Sequence, residues 1–126
     1  MYYGRALQNK WLKASESFPV LLLTGPRQVG KTTMLKNIRD GERKYVSLDD
    51  LSLRNLAKED PVLFLKQYSP PVIIDEIQYA PELMPYIKLA VDLSGGKGQY
   101  WLTGSQQFQM MKGVTETLAG RVAIVN

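Results

Sequence analysis

Residues 25–32 have the spacing of a phosphate-binding loop, G-x-x-x-x-G-K-T, directly after the apolar run Val20–Leu23. Glycines let the backbone curl tightly, so that successive N–H groups point at a phosphate chain. A helix that begins near Gly30 adds the positive end of its dipole. In such a loop Lys31 reaches the β- and γ-phosphates, and the Thr32 hydroxyl is a ligand for Mg²⁺. The pattern therefore predicts a P-loop that binds a nucleotide.

The whole loop and the first turn after it are expected to contact that nucleotide. The alternative is a glycine-rich turn with no ligand, but a chance match to the fixed positions is expected in on the order of 1% of chains this short. We therefore favour phosphate binding. The predicted nucleotide-binding residues are Gly25, Pro26, Arg27, Gln28, Val29, Gly30, Lys31, Thr32 and Thr33.

Two acids follow the apolar run Val72–Ile74 and predict the metal side of the same site. Asp75, at the tip of the strand, is expected to hold Mg²⁺ through water. Glu76 is expected to polarise the attacking water as a general base. The alternative is a strand end with two solvated acids, which is common at protein surfaces. The P-loop upstream makes the functional interpretation the better one.

Further candidates are less specific. Ser105 ends a strand, where a hydroxyl can orient water or touch the γ-phosphate, or can cap the next helix; Gln106 is its neighbouring alternative. Arg121 precedes a strand and is either an arginine finger for a neighbouring subunit or an ordinary surface residue. Asp49 and Asp50 serve the outer shell of the site or, as we favour, cap a helix. The predicted catalytic residues are Glu76, Lys31, Ser105 and Arg121, and the predicted metal ligands are Thr32 and Asp75.

The elements that must position these residues alternate between strands and helices. Strands are predicted over 20–23, 44–48, 72–74, 100–103 and 122–125, and helices over 1–17, 30–39, 61–68 and 82–93, with partly helical structure over 106–118 and a further element over 50–58. The first strand, Val20–Leu23, is a continuous apolar run, which is typical of a strand buried on both faces of a parallel sheet. The predicted fold is a three-layer α/β P-loop fold, with a mostly parallel sheet of about five strands flanked by helices.

Composition narrows the chemistry. The chain has 126 residues, no cysteine and no histidine, so thiolate and imidazole metal sites and Ser-His-Asp catalysis are excluded. Any metal is expected to be a hard cation held by oxygen, such as Mg²⁺. A net charge of +4 suits a polyanionic ligand but gives no support for nucleic-acid binding. No apolar stretch approaches the ~20 residues of a membrane helix, and the composition fits a cytoplasmic protein.

The last strand predicted, Val122–Val125, runs into the end of the chain. A strand needs neighbours and a following connection. We therefore expect a fragment of a longer protein, whose missing part begins at or just after Asn126.

Three segments together carry a resemblance to a known family. They are Gly25–Thr33 (GPRQVGKTT), Asp75–Gln78 (DEIQ), and Leu102–Ser105 (LTGS) taken with Leu118–Val122 (LAGRV). The chain resembles the N-terminal ATPase domain of a bacterial and archaeal group in the AAA superfamily. In that group the domain precedes a C-terminal domain of uncertain function.

The resemblance implies ATP and Mg²⁺ as ligands, a role for Ser105 as the polar sensor, and a match of Arg121 to a recurrent arginine. It implies that residues 1–126 are an AAA-type domain truncated in or after its fifth strand. The expected partners are ATP or ADP and the absent C-terminal domain. A homo-oligomer is an open alternative. The leading hypothesis is a Mg²⁺-dependent ATPase that drives or gates an attached domain. The rival is a nucleotide-operated switch with negligible hydrolysis, and Glu76 favours the enzyme.

Overall fold

The computed structural model describes residues 4–25, 30–39 and 41–126. Its centre is a sheet of five strands in the order β2-β3-β4-β1-β5, and every pair of neighbouring strands is parallel. The strands are β1 Val20–Thr24, β2 Lys44–Ser47, β3 Val72–Asp75, β4 Tyr100–Gly104 and β5 Val122–Val125. The predicted fold class is confirmed.

Within the described residues, six α-helices cover the two faces of the sheet. They are α1 Arg5–Ser15, α2 Gly30–Ile38, α3 Leu51–Glu59, α4 Pro61–Gln67, α5 Leu83–Ser94 and α6 Phe108–Thr117. Successive strand residues point to opposite faces. In β1, Val20 and Leu22 join a core with α3 to α6, whereas Leu21 and Leu23 join a second core with α1 and α2. The continuous apolar run of β1 is thus explained by its burial on both faces.

Local sequence signals determine where several helices begin and end. Asp50 caps α3 by accepting the N–H of Leu53 at 3.1 Å. Asp60 caps α4 in the same way, with Pro61 as the first helical residue, as the sequence predicts. Gly95 ends α5 in the left-handed conformation, with φ of 72°.

The structure departs from the predicted elements at one place that matters for function. A short 3₁₀ turn, Ile77–Tyr79, follows β3 directly, and Glu76 at its start has a left-handed φ of 63°. Few non-glycine residues adopt this conformation, and those that do are common at functional sites. The described part of the chain contains no helix that is both long and apolar enough to cross a membrane.

Candidate nucleotide site

The carboxyl ends of β1, β3 and β4 lie together at one edge of the sheet, because the strands are parallel. β1 leads into Gly25, β3 into Glu76 and β4 into Ser105. Ligands of parallel sheets bind at this edge. The predicted residues Pro26, Arg27, Gln28 and Val29 lie outside the described part of the chain.

The two predicted metal ligands are in contact. Thr32, in the first turn of α2, donates a hydrogen bond from Oγ1 to Asp75 Oδ1 at 2.9 Å. The two residues are 43 positions apart in sequence; α2 is the element that follows β1 along the chain, and Asp75 is the last residue of β3. A hydroxyl and a carboxylate therefore meet beside the first turn of α2.

Asp75 is held by hydroxyl groups from both neighbouring strands. Thr103 of β4 donates to Oδ1 at 2.5 Å, and Tyr45 and Ser47 of β2 each donate to Oδ2 at 3.2 Å. Only 6% of Asp75 is exposed, and a buried carboxylate needs such donors. Burial and then the charge of Asp75 raise the pKa of Tyr45 to about 12.

Glu76 is held through both its backbone and its side chain. Its N–H donates to Thr103 Oγ1 at 2.9 Å, and its Oε1 accepts from Gln78 Nε2 at 2.7 Å. Gln78 in turn accepts a weak hydrogen bond from the N–H of Ser105 at 3.4 Å. The side chain of Gln78 thereby links the ends of β3 and β4.

A cavity of about 330 Å³ opens beside these residues. Lys31 is 6% exposed, and its Nζ donates to the carbonyl of Gly25 at 3.3 Å. The structure therefore brings the predicted residues Lys31, Glu76 and Ser105 around one space. The lining residues are Gly25, Lys31, Glu76, Gln78, Tyr79, Ser105 and Gln107.

Ser105 lies in the cavity wall rather than at a helix cap. Its Oγ is buried and has no hydrogen-bond partner among the described residues. The N-cap residue of α6 is Gln107, so Ser105 does not cap that helix. Gln106, the neighbouring alternative, donates instead to Asn126 Oδ1 at 3.2 Å and does not line the cavity.

Arg121 is not brought to this cavity. It precedes β5, which pairs in register with β1 from Val20 onward, so it lies at the amino edge of the sheet. Its guanidinium donates to both carboxylate oxygens of Asp92, at 2.6 and 2.9 Å, and to the carbonyl of Ala119 at 2.8 Å. These hydrogen bonds lower the pKa of Asp92 and raise that of Arg121. A role for Arg121 in catalysis stays a prediction.

Asp49 lies beside the two acids of the site, whereas the sequence alone favours a helix-capping role for it. A carboxylate oxygen of Asp49 lies within 4.8 Å of carboxylate oxygens of Asp75 and Glu76. Asp50, its neighbour, is the residue that caps α3. Together with the Thr32 hydroxyl, these groups form an all-oxygen donor set, which fits a hard cation such as Mg²⁺.

Sequence reasoning missed four side chains that form hydrogen bonds with Asp75 or Glu76, namely Tyr45, Ser47, Gln78 and Thr103. It also missed Tyr79 and Gln107 in the cavity lining. Gln78 was available as part of the DEIQ segment. Ser47 ends β2 and Thr103 is next to last in β4, whereas Tyr45 is the second residue of β2. The strand order makes β2 and β4 the neighbours of β3. Ser47 and Thr103 could have been proposed as site residues from their positions near the carboxyl ends of predicted parallel strands, where ligands bind.

A parallel sheet with a buried lysine and paired acids at its carboxyl edge defines an ATPase-like nucleotide-binding domain. A family model described as AAA domain matches residues 17–126, and the chain therefore belongs to the AAA domain family.

Two curated relatives, one from Mycobacterium bovis and one from Mycobacterium tuberculosis, are both described as uncharacterized proteins. Each is 35% identical to this chain over 115 residues. The match covers 90% of this chain and 26% of each relative, so the chain spans about a quarter of the length of these relatives.

Proposed function

We propose that this domain binds ATP together with Mg²⁺ and hydrolyses the bond between the β- and γ-phosphates. The observation that carries the proposal is the hydrogen bond from Thr32 to Asp75, beside the cavity that Lys31 and Glu76 line. The two halves of a phosphoryl-transfer site, one from the start of α2 and one from the tip of β3, meet there.

Each side chain has a separate task in this proposal. Lys31 neutralises charge on the β- and γ-phosphate oxygens. Thr32 and Asp75 would hold Mg²⁺, and the bound ion would supply further positive charge at those oxygens. Glu76 accepts a proton from the attacking water, and Ser105 orients that water through its buried hydroxyl. The amides of residues 26–29 are expected to surround the phosphates.

Paired variants test these assignments by phosphate release and nucleotide binding. Lys31→Ala is expected to lose ATP affinity, because it removes the positive charge at the phosphates. Glu76→Gln is expected to retain ATP binding and to lose at least about a hundredfold in turnover, the contribution of a general base. Lys10→Ala and Glu82→Gln are matched controls, since both residues are exposed and lie outside the cavity lining. Turnover of Glu76→Gln at the parent rate would show that Glu76 is not the base.

A nucleotide-operated switch with negligible hydrolysis is the second candidate. The 2.7 Å hydrogen bond from Gln78 occupies one carboxylate oxygen of Glu76, which favours a state that does not activate water. Either candidate predicts stabilisation by ATP and ADP, by about 2.7 kcal/mol at 100 times the Kd. Thermal shifts with both nucleotides, but no phosphate release above the Lys31→Ala background, would favour the switch.

We further propose that the domain drives or gates an attached domain, as in the bacterial and archaeal AAA group that its motifs resemble. The much greater length of the two relatives supports this proposal. A homo-oligomer and a cytoplasmic location stay predictions. If the attached domain is gated, nucleotide exchange in a full-length protein will alter its protease sensitivity, and Lys31→Ala will abolish the change.

A further inference from the structure

One hydroxyl of β4 contacts both acids at the tip of β3. Thr103 is 1% exposed. Its Oγ1 donates to Asp75 Oδ1 and accepts from the N–H of Glu76 at 2.9 Å. The same hydroxyl thus donates a hydrogen bond to Asp75, the predicted metal ligand, and accepts one from the backbone of Glu76, the predicted general base.

The sheet explains why a side chain is needed at this point. The β3–β4 ladder pairs Val72 with Tyr100, Ile73 with Trp101 and Ile74 with Leu102, and it ends there. Asp75 still pairs with Ser47 of β2, and the 3₁₀ turn begins two residues later at Ile77. The N–H of Glu76 therefore donates to the hydroxyl of Thr103 instead of to a strand carbonyl.

The conformation of Glu76 needs such support. Its left-handed φ of 63° is unfavourable for a residue with a Cβ, and it persists only where the surroundings hold it. The bond from Tyr79 N–H to the Glu76 carbonyl, at 3.2 Å, holds one side of this residue. The Thr103 hydroxyl holds the other side and ties it to Asp75.

We propose that Thr103 is a positioning residue that sets Glu76 relative to Asp75, and so places the carboxylate of Glu76 for accepting a proton from the attacking water. The inference rests on the proposed hydrolysis and deepens it. It assigns to Thr103 a role that neither the motif spacing nor the lining of the cavity indicates. Thr103 acts through the two acids and is not itself a group that touches ATP.

Two variants separate the hydroxyl from the shape of the side chain. Thr103→Val keeps the shape and removes both hydrogen bonds, whereas Thr103→Ser keeps the hydroxyl. We expect Thr103→Val to lower kcat by about tenfold to a hundredfold, the effect of misplacing a reacting group by a fraction of an ångström to an ångström. Thr103→Ser is expected to stay near the parent rate. Both variants are expected to bind ATP within about twofold of the parent, since Lys31 and the P-loop are unchanged.

A double variant adds a readout that a merely structural role would not produce. If Thr103 acts through Glu76, Thr103→Val will lower kcat much less in a Glu76→Gln background than in the parent. Additive losses would overturn the inference, as would parent turnover in Thr103→Val or parallel loss of kcat and ATP affinity. Parent activity no higher than that of Lys31→Ala would instead overturn the proposed hydrolysis, and the inference with it.

Hydrogen exchange tests the contact without turnover. In the nucleotide-free protein, the Glu76 amide is expected to be protected in the parent and in Thr103→Ser, and to exchange faster in Thr103→Val. Equal protection in all three proteins would overturn the inference. Should Thr103→Val fail to fold, Thr103→Ala replaces it in the kinetic and exchange measurements, with the same expectations.

Discussion

Gly95 and Gly98 lie in one loop and both have a left-handed backbone, but we expect alanine to destabilise the fold much more at one position than at the other. Gly95 has φ of 72° and Gly98 has φ of 62°. An added Cβ at Gly95 meets nothing within 4 Å, whereas at Gly98 it meets the Ser15 hydroxyl and lies 2.9 Å from the Ser15 carbonyl. Alanine at either position has the same backbone penalty, so the difference between the variants isolates the contact with Ser15.

The contact is costly because Ser15 is itself engaged. Its Oγ accepts a hydrogen bond from Trp101 Nε1 at 3.0 Å, so moving it away leaves the indole N–H of Trp101 without a partner. The backbone penalty of a left-handed alanine is about 1 kcal/mol. A buried donor left without an acceptor adds about 1–3 kcal/mol. We expect Gly95→Ala to lower the free energy of unfolding by about 1 kcal/mol and Gly98→Ala by about 2–4 kcal/mol.

Urea unfolding followed by tryptophan fluorescence measures both variants, and calorimetry gives their Tm. At about 4 °C per kcal/mol for a domain of this size, the Tm is expected to fall by ~4 °C for Gly95→Ala and by ~8–16 °C for Gly98→Ala. Ser15→Ala provides the coupling test: in that background Gly98→Ala is expected to cost less, because the hydroxyl is gone. Equal losses in Gly95→Ala and Gly98→Ala would refute the reasoning.

Two further predictions concern Glu76 and Arg121. Glu76→Gly and Glu76→Ala both remove the carboxylate, and both are expected to abolish hydrolysis. In urea unfolding the glycine variant is expected to be more stable than the alanine variant by about 1 kcal/mol, since only glycine adopts φ of 63° freely. Equal stability would contradict the assigned strain. Arg121→Met and Asp92→Asn are each expected to cause a small fall in Tm near pH 7 and to leave hydrolysis unchanged, with the larger fall for Arg121→Met, which also loses the hydrogen bond to Ala119. Because pairing lowers the pKa of Asp92, the contribution of the pair is present at neutral pH and is lost as the pH falls through that lowered pKa. Lost hydrolysis in Arg121→Met alone would support the arginine-finger role.

Local signals account for the parts of the fold that the sequence predicted. β1 and β3 are short apolar runs, and the starts of α3 and α4 have their own caps, Asp50 and Asp60. The type of each element and its approximate bounds depend on residues that are close in sequence, and they can therefore be predicted without knowledge of the tertiary contacts. The left-handed Glu76 and the 3₁₀ turn after it have no such local signal. They depend on the end of the β3–β4 ladder.

The candidate site divides in the same way. Lys31 and Thr32, like Asp75 and Glu76, stand in motifs whose spacing alone predicts phosphate and metal chemistry. Arg121 has no such spacing, and its place at the amino edge follows only from the pairing of β5 with β1.

By itself, the sequence determined the α/β class, the phosphate-binding segment and the paired acids, because each depends on residues that are close together in the chain. Only the tertiary structure decided that Tyr45 and Ser47 from β2 and Thr103 from β4 hold Asp75. The strand order and the parallel register bring these residues together across 28 to 30 positions of sequence. A hydroxyl residue in a sequence does not by itself indicate a functional role. The role of these three hydroxyls follows from Asp75, the carboxylate that the sheet places beside them.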